Sequence, residues 1–300
     1  MLQVKQITKK FDKEDAVKSL SLSVKKGSIY GLLGSNGAGK TTLLKMIAGI
    51  YRPNSGEILI NDKAAYENPD IREKIFFIPD ALSFYPQATV KQMAGHYQYF
   101  YKDWNEKRFE ELQKVFKIDL NRKVQRLSKG MKRQVAFWLA LSTMPDFLIL
   151  DEPIDGLDPV MRQKIKNLLF QEIAERNLTV LISSHNLREI EDICDHVGIM
   201  HKGTMIIQKD LDDLKSDTHK VQLALKDPSH EEHLLNKLDV LHKEKRGSVL
   251  LLIVKGKEDS IRKAIKSTEL LLFDLLPLTL EEIFIYEMGD VGYEIENILL

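Results

Sequence analysis

An α/β fold, a parallel sheet covered by helices with a smaller α+β unit after it, is what this 300-residue sequence predicts. Three observations carry the expectation. Short apolar runs of strand length alternate with amphipathic runs of helix length over residues 28–60 and again over 147–194; such alternation demands parallel pairing with helices on the faces. Between these stretches, residues 81–143 show only helical periodicity, as a helical insertion would. Beyond a polar, acidic segment at 210–217 the alternation resumes on a smaller scale.

Taken in order, residues 2–8 and 16–24 alternate apolar and polar side chains and read as half-buried strands, the second ending at the turn Lys25-Lys26-Gly27. Residues 28–33 form a mostly apolar strand that runs into a glycine-rich loop, and residues 40–50 place Leu43, Leu44, Ile47 and Ala48 on one helical face that stops near Gly49. Pro53-Asn54-Ser55-Gly56 turns the chain into a strand at 57–60. Helices are expected at 89–102, 106–116 and 128–142, a buried strand at 147–150, a helix at 159–176, a strand at 179–183 and a helix at 186–194. The second unit offers strands at 221–225, 249–254 and 270–275 and helices at 231–238, 260–268 and 280–288. The expected domains are therefore 1–215 and 216–300, the second without a chemical motif of its own.

Composition narrows the class. With 43% hydrophobic residues there is material for one large core and one small one. Lys and Arg number 44 and so do Asp and Glu, a balance that argues against a nucleic-acid partner. The single cysteine, Cys194, cannot form an intrachain disulfide, which fits a reducing compartment. Lys5, Lys9 and Lys10 are followed by no apolar block, so the start does not read as a signal peptide. No stretch approaches the ~18 apolar residues a membrane helix needs, so a membrane role would come through a partner.

Gly34-Ser35-Asn36-Gly37-Ala38-Gly39-Lys40-Thr41 fits the Walker A pattern Gly-x-x-x-x-Gly-Lys-Ser/Thr. Glycines let the loop wrap so that its N–H groups face phosphate oxygens, and the following helix adds its positive end. Lys40 brings a mobile charge to the β- and γ-phosphates, the Thr41 hydroxyl can ligate Mg²⁺, and Thr42 can add a phosphate hydrogen bond. Downstream, the apolar strand 147–150 delivers Asp151 and Glu152 to the carboxyl edge of the sheet, where such folds bind ligands. Asp151 suits Mg²⁺ and Glu152 suits orienting and deprotonating an attacking water.

Leu127-Ser128-Lys129-Gly130-Met131, at the head of a helix, resembles the signature motif of ABC-transporter ATPases. Ile154-Asp155-Gly156-Leu157-Asp158-Pro159 looks like that family's D-loop and Ser183-Ser184-His185 like its H-loop. The resemblance covers about residues 2–215, with every motif in the family's order. It implies a P-loop nucleotide-hydrolase core of parallel sheet plus antiparallel strands, with the helical subdomain at 81–143. It also implies ATP hydrolysis in a head-to-tail dimer, each ATP lying between the Walker motifs of one chain and Ser128 and Gly130 of the other. His185 would bond the γ-phosphate, Asp158 would bridge the dimer, and Phe11 would stack on adenine.

Two departures stand out. Asp80 occupies the place of the Q-loop glutamine, where it could ligate Mg²⁺ or hold the water, with Gln87 the other candidate for the sensing role. Lys129 and Met131 replace the usual glycine and glutamine of the signature. The implied partners are an integral membrane permease subunit and a second ATPase chain, identical or paralogous, at the cytoplasmic face of the cell membrane. The aromatic run Tyr97-Gln98-Tyr99-Phe100-Tyr101-Lys102-Asp103-Trp104 suits docking of a partner helix. The chain looks similar to bacterial exporter ATPases for antimicrobial or amphipathic peptides, including bacitracin- and lantibiotic-resistance and phenol-soluble-modulin groups. Leu280-Glu281-Glu282-Ile283-Phe284 resembles a C-terminal helix of that group. The alternatives are a soluble superfamily member acting on ribosome or nucleic acid, and an ATP-dependent regulatory switch.

Overall fold

A computed structural model describes residues 1–12, 14–266, 269–276 and 278–283. The chain divides into two compact units, Met1–Gln208 and Lys209–Leu300.

The first unit opens with β1 (Leu2–Phe11), β2 (Glu14–Val24), β3 (Ile29–Leu33), α1 (Lys40–Ile47), β4 (Ser55–Ile60) and β5 (Lys63–Ala64). A short α2 (Pro69–Arg72) and β6 (Ile75–Ile78) lead to the helices α3 (Val90–Phe100), α4 (Glu106–Phe116) and α5 (Lys129–Ser142). Then come β7 (Phe147–Asp151), α6 (Pro159–Arg176), β8 (Thr179–Ser184), α7 (Leu187–Glu191), β9 (His196–His201) and β10 (Thr204–Asp210).

One sheet has the order β10-β9-β3-β8-β7-β6, and the other β2-β1-β4-β5. In the first, β3 pairs parallel with β8 and β9, and β7 parallel with β6 and β8. The register sets Leu33 opposite Ser184 and Asp151 opposite Ser183, so the loops after β3, β7 and β8 leave from one edge. In the second sheet β1 pairs antiparallel with β2 and with β4. The alternation in β1 and β2 turns Leu2, Val4, Ile7, Leu20 and Leu22 into the same core as Leu43, Leu44 and Ile47 of α1. Helix α1 is thereby fixed, and the loop before it with it.

The helical insertion starts where its caps say it should. Thr89 makes a reciprocal capping box with Gln92 at the head of α3, Asn105 caps α4 and Ser128 caps α5. In α5, Trp138 is fully buried, lies 4.7 Å from the Phe109 ring in a stacked pair, and donates its Nε1–H to the Phe109 carbonyl at 2.8 Å. Trp138→Ala should cost about 3–5 kcal/mol of stability through the cavity left by the indole and the loss of its Nε1–H bond. Urea unfolding followed by intrinsic fluorescence checks it, and an unchanged midpoint would refute it. Glu172 of α6, also buried, pairs with Arg108 of α4 and with Arg176, which ties the insertion to the core.

The second unit comprises α8 (Leu211–Ser216), β11 (Thr218–Leu225), α9 (Glu231–Leu235), β12 (Asp239–Arg246), β13 (Val249–Lys255), α10 (Glu258–Lys266) and β14 (Leu270–Leu276). The sheet order is β12-β13-β11-β14. Leu234, Ile261 and Ile265 pack on Val221, Leu223, Leu252 and Val254. Residues 280–283 are helical; the rest of the helix expected at 280–288 lies outside the described residues. Strands β5, β9, β10 and β12 and the short helices α2 and α8 were not anticipated from the sequence, and the helix expected at 186–194 is confined to α7. Among the described residues, no helix is long and apolar enough to cross a membrane.

Candidate functional site: a nucleotide cleft

Between β3 and α1 the loop takes a shape only glycine permits. Gly39 has φ +101°, and a Cβ there would sit 2.3 Å from the Ala16 carbonyl oxygen. At Gly37, φ is +80° and nothing lies within 4 Å of the Cβ position, so that backbone faces open space. No side chain caps α1 at Gly39, which leaves the first-turn N–H groups available to an anion. The result is an open cleft of about 280 Å³, lined by Ala16, residues 35–42, Asp80 and Glu152.

The charged groups of this cleft are already organised. The Lys40 ammonium, 6% exposed, donates to the Gly34 carbonyl at 2.6 Å and the Ser35 carbonyl at 3.3 Å, and lies 3.5 Å from Glu152 Oε1. These oxygens satisfy it in the way phosphate oxygens would. Asp151, buried at the end of β7, accepts from the Thr41 hydroxyl at 3.1 Å and from the Ser183 hydroxyl at 2.7 Å through the same oxygen. A carboxylate beside a hydroxyl at the foot of a phosphate loop is the donor set that Mg²⁺ prefers.

Glu152 has φ +47°, unusual for a residue with a side chain, and its N–H donates to Ser183 Oγ at 3.1 Å. Its Oε2 lies 2.9 Å from His185 Nδ1 and accepts from the His185 N–H at 3.3 Å. Ser183 therefore couples Asp151 to Glu152, and Glu152 couples Lys40 to His185. The role of Ser183 was not assigned from the sequence, where it stood only as part of the H-loop; the parallel register that puts it opposite Asp151 is what reveals it. Asp155 joins the group: Glu152, Asp155 and His185 each bring one donor atom within 4.8 Å of the others.

The ABC transporter family profile matches residues 17–155. The ABC transporter ATP-binding protein YtrB of Bacillus subtilis (strain 168) is 30% identical over 289 residues, 96% of this chain and 98% of that protein. The chain belongs to the ABC-transporter ATP-binding proteins. The bacitracin transport ATP-binding protein BcrA of Bacillus licheniformis is 34% identical over 223 residues, 73% of each chain. A solved ATP-binding subunit of an ABC transporter superposes with TM-score 0.67 at 28% identity, covering 72% of this chain and 92% of that one. The cassette MJ0796, solved as a dimer in a post-hydrolysis state with ADP and Pi, gives TM-score 0.64 at 25% identity, covering 70% of this chain and 99% of that one.

Of the remaining residues expected of an ABC ATPase, Ser128, Gly130, Asp158, Phe11 and Gln87 do not line this cleft, whereas Asp80 does. Ser128 caps α5 by accepting the Met131 N–H at 3.2 Å, so its hydroxyl proton is still free to donate. A Cβ on Gly130 would sit 3.0 Å from the Gly156 carbonyl oxygen, so the signature and the D-loop touch within one chain. Asp158 caps α6, accepting from the Met161 N–H at 2.9 Å. Phe11, at the end of β1, is exposed; its ring meets Tyr51 edge-on at 5.6 Å and carries the Lys9 ammonium 5.2 Å above it. Asp80 reaches the cleft wall, but its Oδ1 is engaged by Arg133 at 3.3 Å, and Gln87 accepts from Lys123 at 2.9 Å.

Proposed function

We propose that this ABC ATPase hydrolyses ATP in a composite dimer site and so drives a separate membrane permease subunit that exports drugs or amphipathic peptides. The carrying observation is the split of the site: Lys40, Thr41, Asp151, Glu152 and His185 are assembled at one cleft, while Ser128 and Gly130 head α5 away from it. The donors at the head of α5 suit a phosphate, and in a head-to-tail dimer the second chain's cleft would supply it.

In this reading Lys40 leaves Glu152 for the β- and γ-phosphates, which frees the carboxylate to accept a proton from water. Mg²⁺, held by the Thr41 hydroxyl and the Asp151 carboxylate, would neutralise phosphate charge. His185 keeps Glu152 oriented through two bonds to Oε2. Ser128 and Gly130 of the second chain complete the cage, so positioning and charge neutralisation carry the catalysis.

The export reading draws on relatives: BcrA is named for bacitracin transport, and LnrL of Bacillus subtilis for linearmycin resistance. A cavity of about 730 Å³ on the helical insertion, bordered by Phe84, Tyr85, Tyr97, Phe100 and Tyr101, fits the docking of a permease helix.

Gly130→Ala tests the composite site. The added methyl meets the Gly156 carbonyl at 3.0 Å, so the head of α5 must shift against the loop at 154–158. Turnover should fall by at least about tenfold, while ATP affinity of the single chain stays within about twofold. Normal turnover in this variant would sink the composite-site reading. For the partner, tagged Glu152→Gln chain with ATP and Mg²⁺ should retain a multi-span membrane protein from solubilised membranes of the native host. Recovery of ribosomes or nucleic acid instead would overturn the transporter reading.

A further inference from the structure

We propose that Glu189, braced by Arg162, is a positioning residue for His185: it fixes the turn that carries the imidazole and so holds the ring at its working distance from Glu152. His185 leaves the end of β8 between Ser184, 1% exposed, and Asn186, which caps α7 by accepting the Arg188 N–H at 3.1 Å. These two neighbours are tied to each other, since Ser184 Oγ accepts the Asn186 N–H at 2.9 Å and lies 3.3 Å from the Asn186 carbonyl oxygen. The Ser184 hydroxyl has one proton to give, and the Glu189 carboxylate, whose Oε2 stands 3.2 Å away, is the charged and stronger acceptor.

Glu189 is itself committed. Its side chain is 12% exposed, and its second oxygen, Oε1, accepts from Arg162 Nη1 at 3.1 Å. Arg162 sits on α6 and is anchored in turn, because its Nε donates to the Leu157 carbonyl at 3.0 Å. Burial pushes the Glu189 carboxyl up from the ordinary range; Arg162 and the Ser184 hydroxyl pull the other way, and Asp155 and Glu152 add to the rise. A carboxylate pressed toward neutrality stays charged because Arg162 faces it, and charged it is the better acceptor for Ser184. One oxygen thus holds the serine beside His185, and the other refers that serine to α6.

The distances at His185 give this arrangement its use. The imidazole Nδ1 stands 2.9 Å from Glu152 Oε2, and the His185 N–H donates to the same oxygen at 3.3 Å. The side chain is 49% exposed, so the turn rather than packing must hold it. A displacement of about 1 Å at such a contact can cost about 10²-fold in rate. Glu189 does not line the cleft and acts through Ser184 and the turn. The inference deepens the ATPase reading above and rests on it.

The test uses the full chain and a cycle of Glu189→Ala, His185→Ala and the double variant. KM and kcat for ATP are measured, with single-turnover phosphate release at excess chain for the slow variants. Glu189→Ala should cut the hydrolysis rate at least about tenfold, with KM within about threefold of the parent. In the His185→Ala background the same substitution should change the rate by less than about twofold, because the residue through which it acts is gone. A further loss of about tenfold in that background would make Glu189 a general structural residue and overturn the proposal, as would a parent-level rate in Glu189→Ala. Position is read without turnover. In the nucleotide-free chain the His185 Nδ1 resonance, assigned by its absence from His185→Ala, should move in Glu189→Ala toward that of an unbonded ring nitrogen; an unmoved resonance would refute the positioning. Should Glu189→Ala fail to fold, Arg162→Met, at a side chain 42% exposed, takes its place in the same cycle with an expected rate loss of at least about threefold. An unmodified chain that does not turn over ATP would defeat the ATPase reading instead, while the resonance would still report on the contact between Glu189 and the turn.

Discussion

Glu152→Gln should reduce steady-state ATP turnover by about 10²–10⁴-fold, the range a positioned general base contributes. The substitution is nearly isosteric, and the amide oxygen can still accept the His185 N–H bond that Oε2 accepts at 3.3 Å. What disappears is proton affinity and charge. Loss of charge has a second consequence, because Glu152 Oε1 stands 3.5 Å from the Lys40 ammonium at a site where the lysine is almost fully buried. Phosphate must displace that carboxylate from Lys40 on binding, so its neutralisation should leave ATP affinity equal to or tighter than that of the parent. Phosphate release and equilibrium binding of a fluorescent ATP analogue separate the two effects. Parent-level turnover in the variant would remove Glu152 from the role of base.

The network around Glu152 shows what a sequence reveals and what it withholds. The phosphate loop was legible because its chemistry is backbone chemistry: glycine at 39 is required by φ and by the Ala16 carbonyl, and a pattern of glycines is visible in one dimension. The position of Asp151 and Glu152 was legible because a buried apolar strand has a carboxyl end. The pairing of Ser183 with Asp151, and of Arg133 with Asp80, was not, since each depends on which strands or helices lie side by side. Arg133 sits among polar neighbours in the sequence and gives no sign that it is fully buried.

Strand β12 was missed for a related reason. Its residues Asp239, His242, Lys243, Glu244, Lys245 and Arg246 have the composition of a solvated loop, and they are extended because β13 offers a register from Asp239↔Lys255 to Arg246↔Val249. An edge strand dense in charge is a common way to prevent edge-to-edge aggregation. Here the tertiary partner overrides the local signal. By contrast, the heads of α3 and α5 were readable to within a residue, because Thr89 and Ser128 cap them with their own side chains.

Lys40→Met should weaken ATP binding by about 10- to 100-fold, the cost of a charge-assisted hydrogen bond of roughly 1.5–3 kcal/mol. It should lower kcat by a further ~10²-fold or more, since phosphoryl transfer is stabilised mainly by charge held against the phosphate oxygens. Methionine keeps the volume and the unbranched stem, so the core around α1 is preserved while the ammonium is lost. The Gly34 carbonyl then loses its 2.6 Å donor, and the Glu152 carboxylate keeps its two contacts to His185. This makes a sign prediction for the pair of substitutions. In the parent chain, part of the binding contribution of Lys40 is offset by the ion pair it must leave. In a Glu152→Gln background there is no such pair, so Lys40→Met should weaken ATP binding by a larger factor there than in the parent. Equilibrium binding on the four chains of this cycle measures the difference. Equal factors in both backgrounds would mean that Glu152 and the phosphates do not compete for Lys40, and that the contact seen between the two side chains is incidental to nucleotide binding.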